Sequence, residues 1–374
     1  LTTLKAPAPR APTFLHVFPT FAVGGAQTRF AAIANHFGSE ARHLVVAIDG
    51  RTDCREKLNP GLDVTFLPPA AAGIGVRHSV SHARAILRRT RPDMLITSNW
   101  GSIDWAIARL TVPGLAHLHT EDGFGPEEQD QQLPRRVLTR RVVLRFSEVM
   151  LPSRTLLRIA TDIWRLPAAR LHYIPNGIDI ARFAGARPAE LPPGEGPVIG
   201  TIAALRPEKN VMRLLEAFAQ LRALRPARLV IVGDGPRRPV LERRAGELGI
   251  APFVHFAGHS TEPERWMAAF DVFALSSDTE QMPLSVLEAM AANRPIVATD
   301  VGDVRDMLAA ENLPYLVPRK APALAVALNQ MLADPHAATI GRANGAKAEA
   351  EYSEAIMFRA FRGLMGLSGP AAAP

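Results

Sequence analysis

Apolar runs four to six residues long recur along the 374-residue chain, alternating with stretches whose apolar positions fall at helical spacing. In the first half the runs lie at 14–18, 43–48, 64–67, 94–97, 115–119 and 148–151, and each predicts a short buried strand. Residues 27–37 place Phe30, Ile33, Ala34 and Phe37 at i, i+3, i+4 and i+7, which predicts a helix with one apolar face. The second half repeats the alternation. Strands are expected at 198–203, 228–232, 254–257, 272–275 and 296–299, and helices at 211–224, 238–248, 283–292 and 304–309. Such alternation predicts parallel sheets covered on both faces. Two series predict an α/β protein of two doubly wound domains facing each other across a cleft, with ligands at the carboxyl ends of the strands. Pro175 and Gly177 mark a turn at 173–179, so the domains are expected at 13–177 and 178–351.

Composition narrows the class. With 47% hydrophobic and 21% charged residues the chain is of globular type, and collagen, coiled coil and wholesale disorder are excluded. Cys54 is the single cysteine, which excludes an intrachain disulfide framework and a Cys-rich zinc site and points to a reducing compartment. No apolar run approaches the roughly 18 residues that span a bilayer. Residues 1–12 carry Lys5, Arg10 and three prolines without an apolar stretch, so a disordered arm is expected there instead of a signal peptide. A disordered tail is expected at 367–374. The expected location is cytoplasmic, peripheral at most on the cytosolic face of a membrane.

Charge is unevenly placed. The net charge is +7, yet residues 1–177 carry 22 Lys and Arg against 14 Asp and Glu, while 178–374 carry 21 against 22. The first half therefore suits an anionic partner. Its densest stretch, 134–146, interleaves Arg135, Arg136, Arg140, Arg141 and Arg145 with Val137, Leu138, Val142, Val143 and Leu144. That pattern fits an anionic membrane surface through Arg135, Arg136, Arg140 and Arg141, or else a solvated face on an ordinary core helix. Nucleic acid is not expected, because no helix-turn-helix, zinc finger or RNA-binding aromatic motif accompanies the charge.

The strongest chemical signal is the run 276–290, which includes Glu280-Gln-Met282-Pro283-Leu284-Ser285 and Glu288. A strand ends near Leu275, a loop carries Glu280, and Pro283 is expected as the first helical residue. The N–H groups of Leu284 and Ser285 then lack intrahelical partners and form a seat for phosphate. Glu288 follows Pro283 by five residues, about 7.5 Å along the axis, so the two carboxylates can take sugar and ribose hydroxyls on either side of that phosphate. Arg206 and Lys209 follow a strand and precede a helix, where a guanidinium fork and an ammonium suit phosphate oxygens. Gly233-Asp234-Gly235 is a turn at a strand end that would let a base approach the backbone. Gly24-Gly25 precedes a helix but lacks the G-x-G-x-x-G spacing of dinucleotide binding, which counts against a nicotinamide enzyme. His119, Glu121 and Asp122 follow another strand and are expected to face the cleft.

In this order, Gly24-Gly25, 174–179 (Ile-Pro-Asn-Gly-Ile-Asp), Glu208-Lys209, Gly233-Asp-Gly-Pro236 and the Glu280/Glu288 pair make a chain that resembles the retaining GT-B glycosyltransferases of family 4. The resemblance runs from about Phe14 to about Met365. It implies a GT-B fold of two Rossmann-like domains, with a last helix at about 352–366 crossing back to the first. It also implies that Glu288 holds the nucleotide ribose, Glu280 the donor sugar and Lys209 the diphosphate. Gly24 and Gly25 would close over that diphosphate, and His119 would lie near the reacting sugar. Two positions depart from the family pattern: the usual arginine would align with Ala204, two residues before Arg206, and Gln281 stands where Gly is common.

The implied activity is transfer of a sugar from a nucleoside-diphosphate donor to a hydroxyl of a saccharide or lipid-linked saccharide, in polysaccharide or glycolipid assembly. Configuration would be retained, and no cofactor or metal is expected, since cations replace the metal and no D-x-D cluster is present. Glu121 and Asp122 are acceptor-side candidates. Rival readings are a nucleotide-sugar epimerase on the same architecture and a non-catalytic GT-B scaffold that binds nucleotide sugar or a membrane.

Overall fold

The computed structural model describes residues 10–69, 75–128 and 131–367. Two compact units emerge, one of residues up to Ile174 together with those from Phe358 onward, the other Pro175–Met357. The first contains β1 (Thr13–Phe18), β2 (Arg42–Ala47), β3 (Val64–Leu67), β4 (Met94–Ser98), β5 (Ala116–Thr120), β6 (Glu148–Leu151) and β7 (Leu171–Tyr173). They form a parallel sheet in the order β3-β2-β1-β4-β5-β6-β7. The second contains β8 (Val198–Ile202), β9 (Arg228–Val232), β10 (Val254–Gly258), β11 (Val272–Leu275), β12 (Ile296–Thr299) and β13 (Leu316–Val317), in the order β10-β9-β8-β11-β12-β13, also parallel.

Each sheet therefore reverses its strand order once, between β1 and β4 and between β8 and β11, which is where doubly wound sheets bind ligands. Strand β1 is buried along its whole length because helices cover both of its faces. In the second unit, Leu214, Leu215 and Phe218 pack with Leu324 and Leu328 in one core, while Val286, Leu287 and Met290 pack with Tyr352 in another. Burying side chains of this size contributes about 1.5–3 kcal/mol each. Strands β7 and β13 were not expected. At three and two residues they are too short to show a pattern and exist only as additions to a sheet edge.

The expected arm and tail fall mostly on residues 1–9 and 368–374, outside the described residues. Their inner ends are tied down. Arg10 pairs with Asp93, the Pro12 carbonyl accepts from Arg42 N–H, and Leu367 is buried.

The arginine stretch needs a larger correction. Helix Pro134–Val143 turns Arg136 and Arg140 inward, so neither belongs to a membrane-facing surface. Arg140 is 1% exposed; it donates to Glu121 and Glu128 at 3.2 Å and lies about 5 Å from the rings of Trp100, Phe124 and Trp164. Arg136, one turn earlier, donates to Glu127 at 2.7 Å and Glu128 at 3.0 Å. Burial raises the Glu128 pKa, but hydrogen bonds from Arg140 and Arg136 outweigh it and hold the carboxyl below its ordinary value. Two cations at i and i+4 share a helix face, and here that face meets carboxylates of the loop that precedes the helix.

Candidate active site

In the second unit the expected site residues gather at the carboxyl ends of β8 and β11. After β8 the chain makes a short turn, Pro207–Lys209, and Asn210, in the left-handed region, caps the helix Val211–Arg222 by accepting from Arg213 N–H. Lys209 Nζ donates to Glu280 Oε1 at 2.7 Å, and the Ser277 hydroxyl donates to the same oxygen at 2.7 Å. Asp278 fastens the two loops together. Its carboxylate accepts from Asn210 Nδ2 at 2.9 Å and from Arg213 at 2.5 Å, and its N–H donates to the Glu208 carbonyl at 2.8 Å. Arg206 projects into solvent and lies 4.0 Å from Glu208.

One detail of the helix start is corrected. Pro283 is extended (φ −69°, ψ 122°) and is the residue before the helix, which runs Leu284–Ala291. The ladder opens with Val286 N–H donating to the Pro283 carbonyl at 3.1 Å, so the N–H groups of Leu284 and Ser285 precede it, as an anion seat requires. Glu288 sits one turn into this helix and is half-buried. Met282 is corrected too: its side chain is buried, its sulfur accepts from Asn176 N–H and its carbonyl from Asn176 Nδ2, both at 3.3 Å. Through these bonds it anchors the 175–178 turn.

Two glycines missed or undervalued in the sequence hold these loops. Gly302 has φ +55°, and a Cβ there would sit 2.3 Å from the Glu280 carbonyl oxygen. The neighbouring Asp303 N–H donates to the Gln281 carbonyl at 2.9 Å. Gly233 has φ +126°, and its Cβ would lie 1.9 Å from the Ala203 carbonyl oxygen. The turn Gly233–Gly235 is thus pressed against the loop that carries Arg206, with Leu205 N–H donating to the Asp234 carbonyl and Arg237 N–H to the Leu205 carbonyl. The Asp234 carboxylate is exposed and pairs with Arg238 at 3.2 Å.

In the first unit the helix Gly25–Phe37 follows β1, with Gly24 before it. Its ladder begins with Thr28 N–H donating to the Gly24 carbonyl, so the first-turn N–H groups of Gly25, Ala26 and Gln27 precede the ladder. At the end of β5, His119 and Glu121 are wholly buried, which corrects the expectation that they face a cleft. His119 Nδ1 bonds to the Thr97 hydroxyl at 2.8 Å, and that hydroxyl also meets His117 Nε2 at 2.9 Å. Glu121 is taken by Arg140. Sequence alternation cannot show this, since both neighbours come from other strands and helices. Asp122 does reach the surface. It is gripped by Arg29 through contacts of 2.5 and 2.8 Å, and its N–H donates to Asn99 Oδ1 at 2.7 Å. Arg29 was missed, because an arginine amid a helix's apolar face carries no signal of its distant partner.

Comparison with known proteins adds to this geometry. A family model described as Glycosyltransferase Family 4 matches residues 23–182, and one described as Glycosyl transferases group 1 matches residues 196–334. The chain is 32% identical over 183 residues to the alpha-D-kanosaminyltransferase of Streptomyces kanamyceticus, over 46% of this chain and 47% of that protein. It is 30% identical over 239 residues to a GDP-mannose-dependent alpha-mannosyltransferase of Mycolicibacterium smegmatis, over 60% of each. The chain spans less than half the length of the first curated relatives it matches, 39–47%. Among solved structures, Anabaena HepE in complex with UDP and glucose is similar with a TM-score of 0.78 over 95% of this chain and all of that one. At 19% identity that likeness is one of fold.

Proposed function

We propose that this chain, which matches the Glycosyltransferase Family 4 and Glycosyl transferases group 1 models over its two halves and has a GT-B fold, moves a sugar from a nucleoside diphosphate to a hydroxyl of a saccharide or lipid-linked saccharide, with retention of anomeric configuration. The observation that carries the donor assignment is the Lys209–Glu280 pair, set beside the open N–H groups of Leu284 and Ser285 at the strand-order reversal. In the reaction the bond from the anomeric carbon to the phosphate oxygen breaks and a bond to the acceptor oxygen forms on the same face. The acceptor proton passes to the departing phosphate. Charge accumulates on that phosphate, and fixed cations and amide dipoles stabilise it more in the transition state than in the ground state.

In this reading Lys209, Arg206 and the helix start bind the diphosphate, Glu280 the sugar hydroxyls and Glu288 the ribose. Gly24 and Gly25 offer a further set of amides, and the Gly233–Gly235 turn takes the base. Asp122 is the acceptor-side group of the first unit, because it is the member of the 119–122 trio that reaches solvent. The transfer is proposed to be metal-independent.

The test is direct. UDP- and GDP-sugars are screened by thermal shift, both being included because HepE was solved with UDP and the mannosyltransferase relative is GDP-mannose-dependent. Nucleoside diphosphate release is then measured with saccharide acceptors, with and without EDTA, and product configuration is read by NMR. Acceptor-dependent release, unchanged by EDTA, with an anomeric centre matching the donor is expected. Donor conversion without acceptor would establish an epimerase, and binding without release a scaffold; either result overturns the proposal.

A further inference from the structure

The helix that hides Arg136 and Arg140 exposes a different face. Leu138 is 59% exposed, Val142 one turn later 57%, and Phe146 in the following turn 59%. Leu138 and Val142 share a helix face at i and i+4, and Phe146 follows just beyond the helix end, so three large apolar side chains stand exposed within nine residues. Arg141, on the same helix, donates to the carbonyls of Ile163 and Trp164. That contact brings in Ile163, which is 43% exposed. Arg135, Arg145 and Arg165 lie exposed around these residues. The run 131–147 contains no Asp or Glu, and Asp162 is the acidic neighbour on the Ile163 side.

We propose that this face, Leu138, Val142, Phe146 and Ile163 ringed by Arg135, Arg145 and Arg165, docks the first unit on an anionic lipid bilayer. The surface goes beyond the transfer reaction and is independent of it. Two features favour a bilayer. The positive charge is spread around the apolar stripe, which matches a diffuse layer of anionic headgroups, and arginine stems cover apolar surface while their heads stay at the interface. A bilayer supplies anions at any spacing, so each exposed arginine gains from it without a matched partner. Among the described residues no helix is long and apolar enough to cross a membrane.

The full chain is sedimented with vesicles of phosphatidylcholine alone and with vesicles containing phosphatidylglycerol, at low salt and at about 1 M salt, where the Debye length falls to about 3 Å. Binding to the anionic vesicles at low salt is expected, weakened by high salt. R135E/R145E should lower partitioning by an order of magnitude or more, since each arginine contributes roughly five-fold near such a surface. L138S/V142S/F146S should lower it comparably, while L224S, an exposed leucine of the other unit, should leave it unchanged. Retained melting temperature and retained stabilisation by nucleoside diphosphate in the variants show that the fold and the donor site are intact. Absent binding by the parent chain, equal binding to neutral vesicles, or binding that survives both multiple substitutions overturns the proposal. So does self-association that the serine variant abolishes, which would assign the face to a second copy of the chain.

Discussion

Lys209 Nζ and Glu280 Oε1 meet at 2.7 Å although 71 positions separate them in the chain. The contact fixes an ammonium and a carboxylate at the ends of β8 and β11, and it depends on Asp278 tying both loops. In the proposed reading the two partners take different parts of the sugar nucleotide, Lys209 the diphosphate and Glu280 the sugar, and their contact holds both at one loop junction.

Lys209→Ala should lower turnover at saturating donor by about 10²–10³, the range found when one donor to a developing oxyanion is removed. Glu280→Gln should keep diphosphate binding and lose sugar discrimination. Steady-state release of nucleoside diphosphate checks both, and near-parental turnover in Lys209→Ala would remove the assignment.

Gly302→Ala should weaken donor binding indirectly, by displacing the backbone of the loop that carries Glu280. Its φ of +55° and its approach to the Glu280 carbonyl leave no space for a methyl group. The cost is about 1–3 kcal/mol, shared between global stability and displacement of the loop. A lowered melting temperature together with a raised donor Kd is expected.

Asp122→Asn should reduce turnover while leaving donor affinity unchanged, because Asp122 lies in the first unit and keeps its place through Asn99 and Arg29. Arg29→Met should do the same and also destabilise the fold, since it leaves a partly buried carboxylate unpaired. Donor Kd from thermal shift, set against kcat, separates the two effects.

His119→Ala should act on stability more than on chemistry. It leaves the buried Thr97 hydroxyl with one partner fewer and opens a cavity, a loss of about 1–3 kcal/mol. Turnover measured well below the melting temperature should stay within about ten-fold, whereas general acid–base participation would cost about 10²–10⁴.

Acid should destabilise the first unit before its carboxylates titrate. Burial pushes the His43 imidazole down from 6.5 to about 4, and burial also lowers His16 and His117. Between those two values the unfolded chain binds the proton and the folded chain does not, so stability is complete above pH 6.5 and falls as pH drops toward 4. For His43 alone the loss is about 3 kcal/mol. Urea midpoints across pH 7.5 to 4.5 should fall steadily, and more gently in His43→Phe.

What the chain's order of residues decided alone is local. Apolar runs such as 229–232 and 272–275 predicted buried strands by their length and flanking turn residues, and their alternation with helices predicted parallel pairing through crossovers. The loop placement of Lys209, Glu280 and the glycine turn was legible because each follows a strand end, where loop residues are displayed. Tertiary structure decided which side each charge faces. Arg140 and Arg135 look alike in sequence, yet one is sealed among Glu121, Glu128 and three rings while the other stands in solvent. His119 is held inside by Thr97 on the adjacent strand, and Asp122, part-buried, is held by the buried Arg29 from a helix 93 positions earlier. Burial of a charge depends on partners that arrive from elsewhere in the chain, and local periodicity carries no record of them.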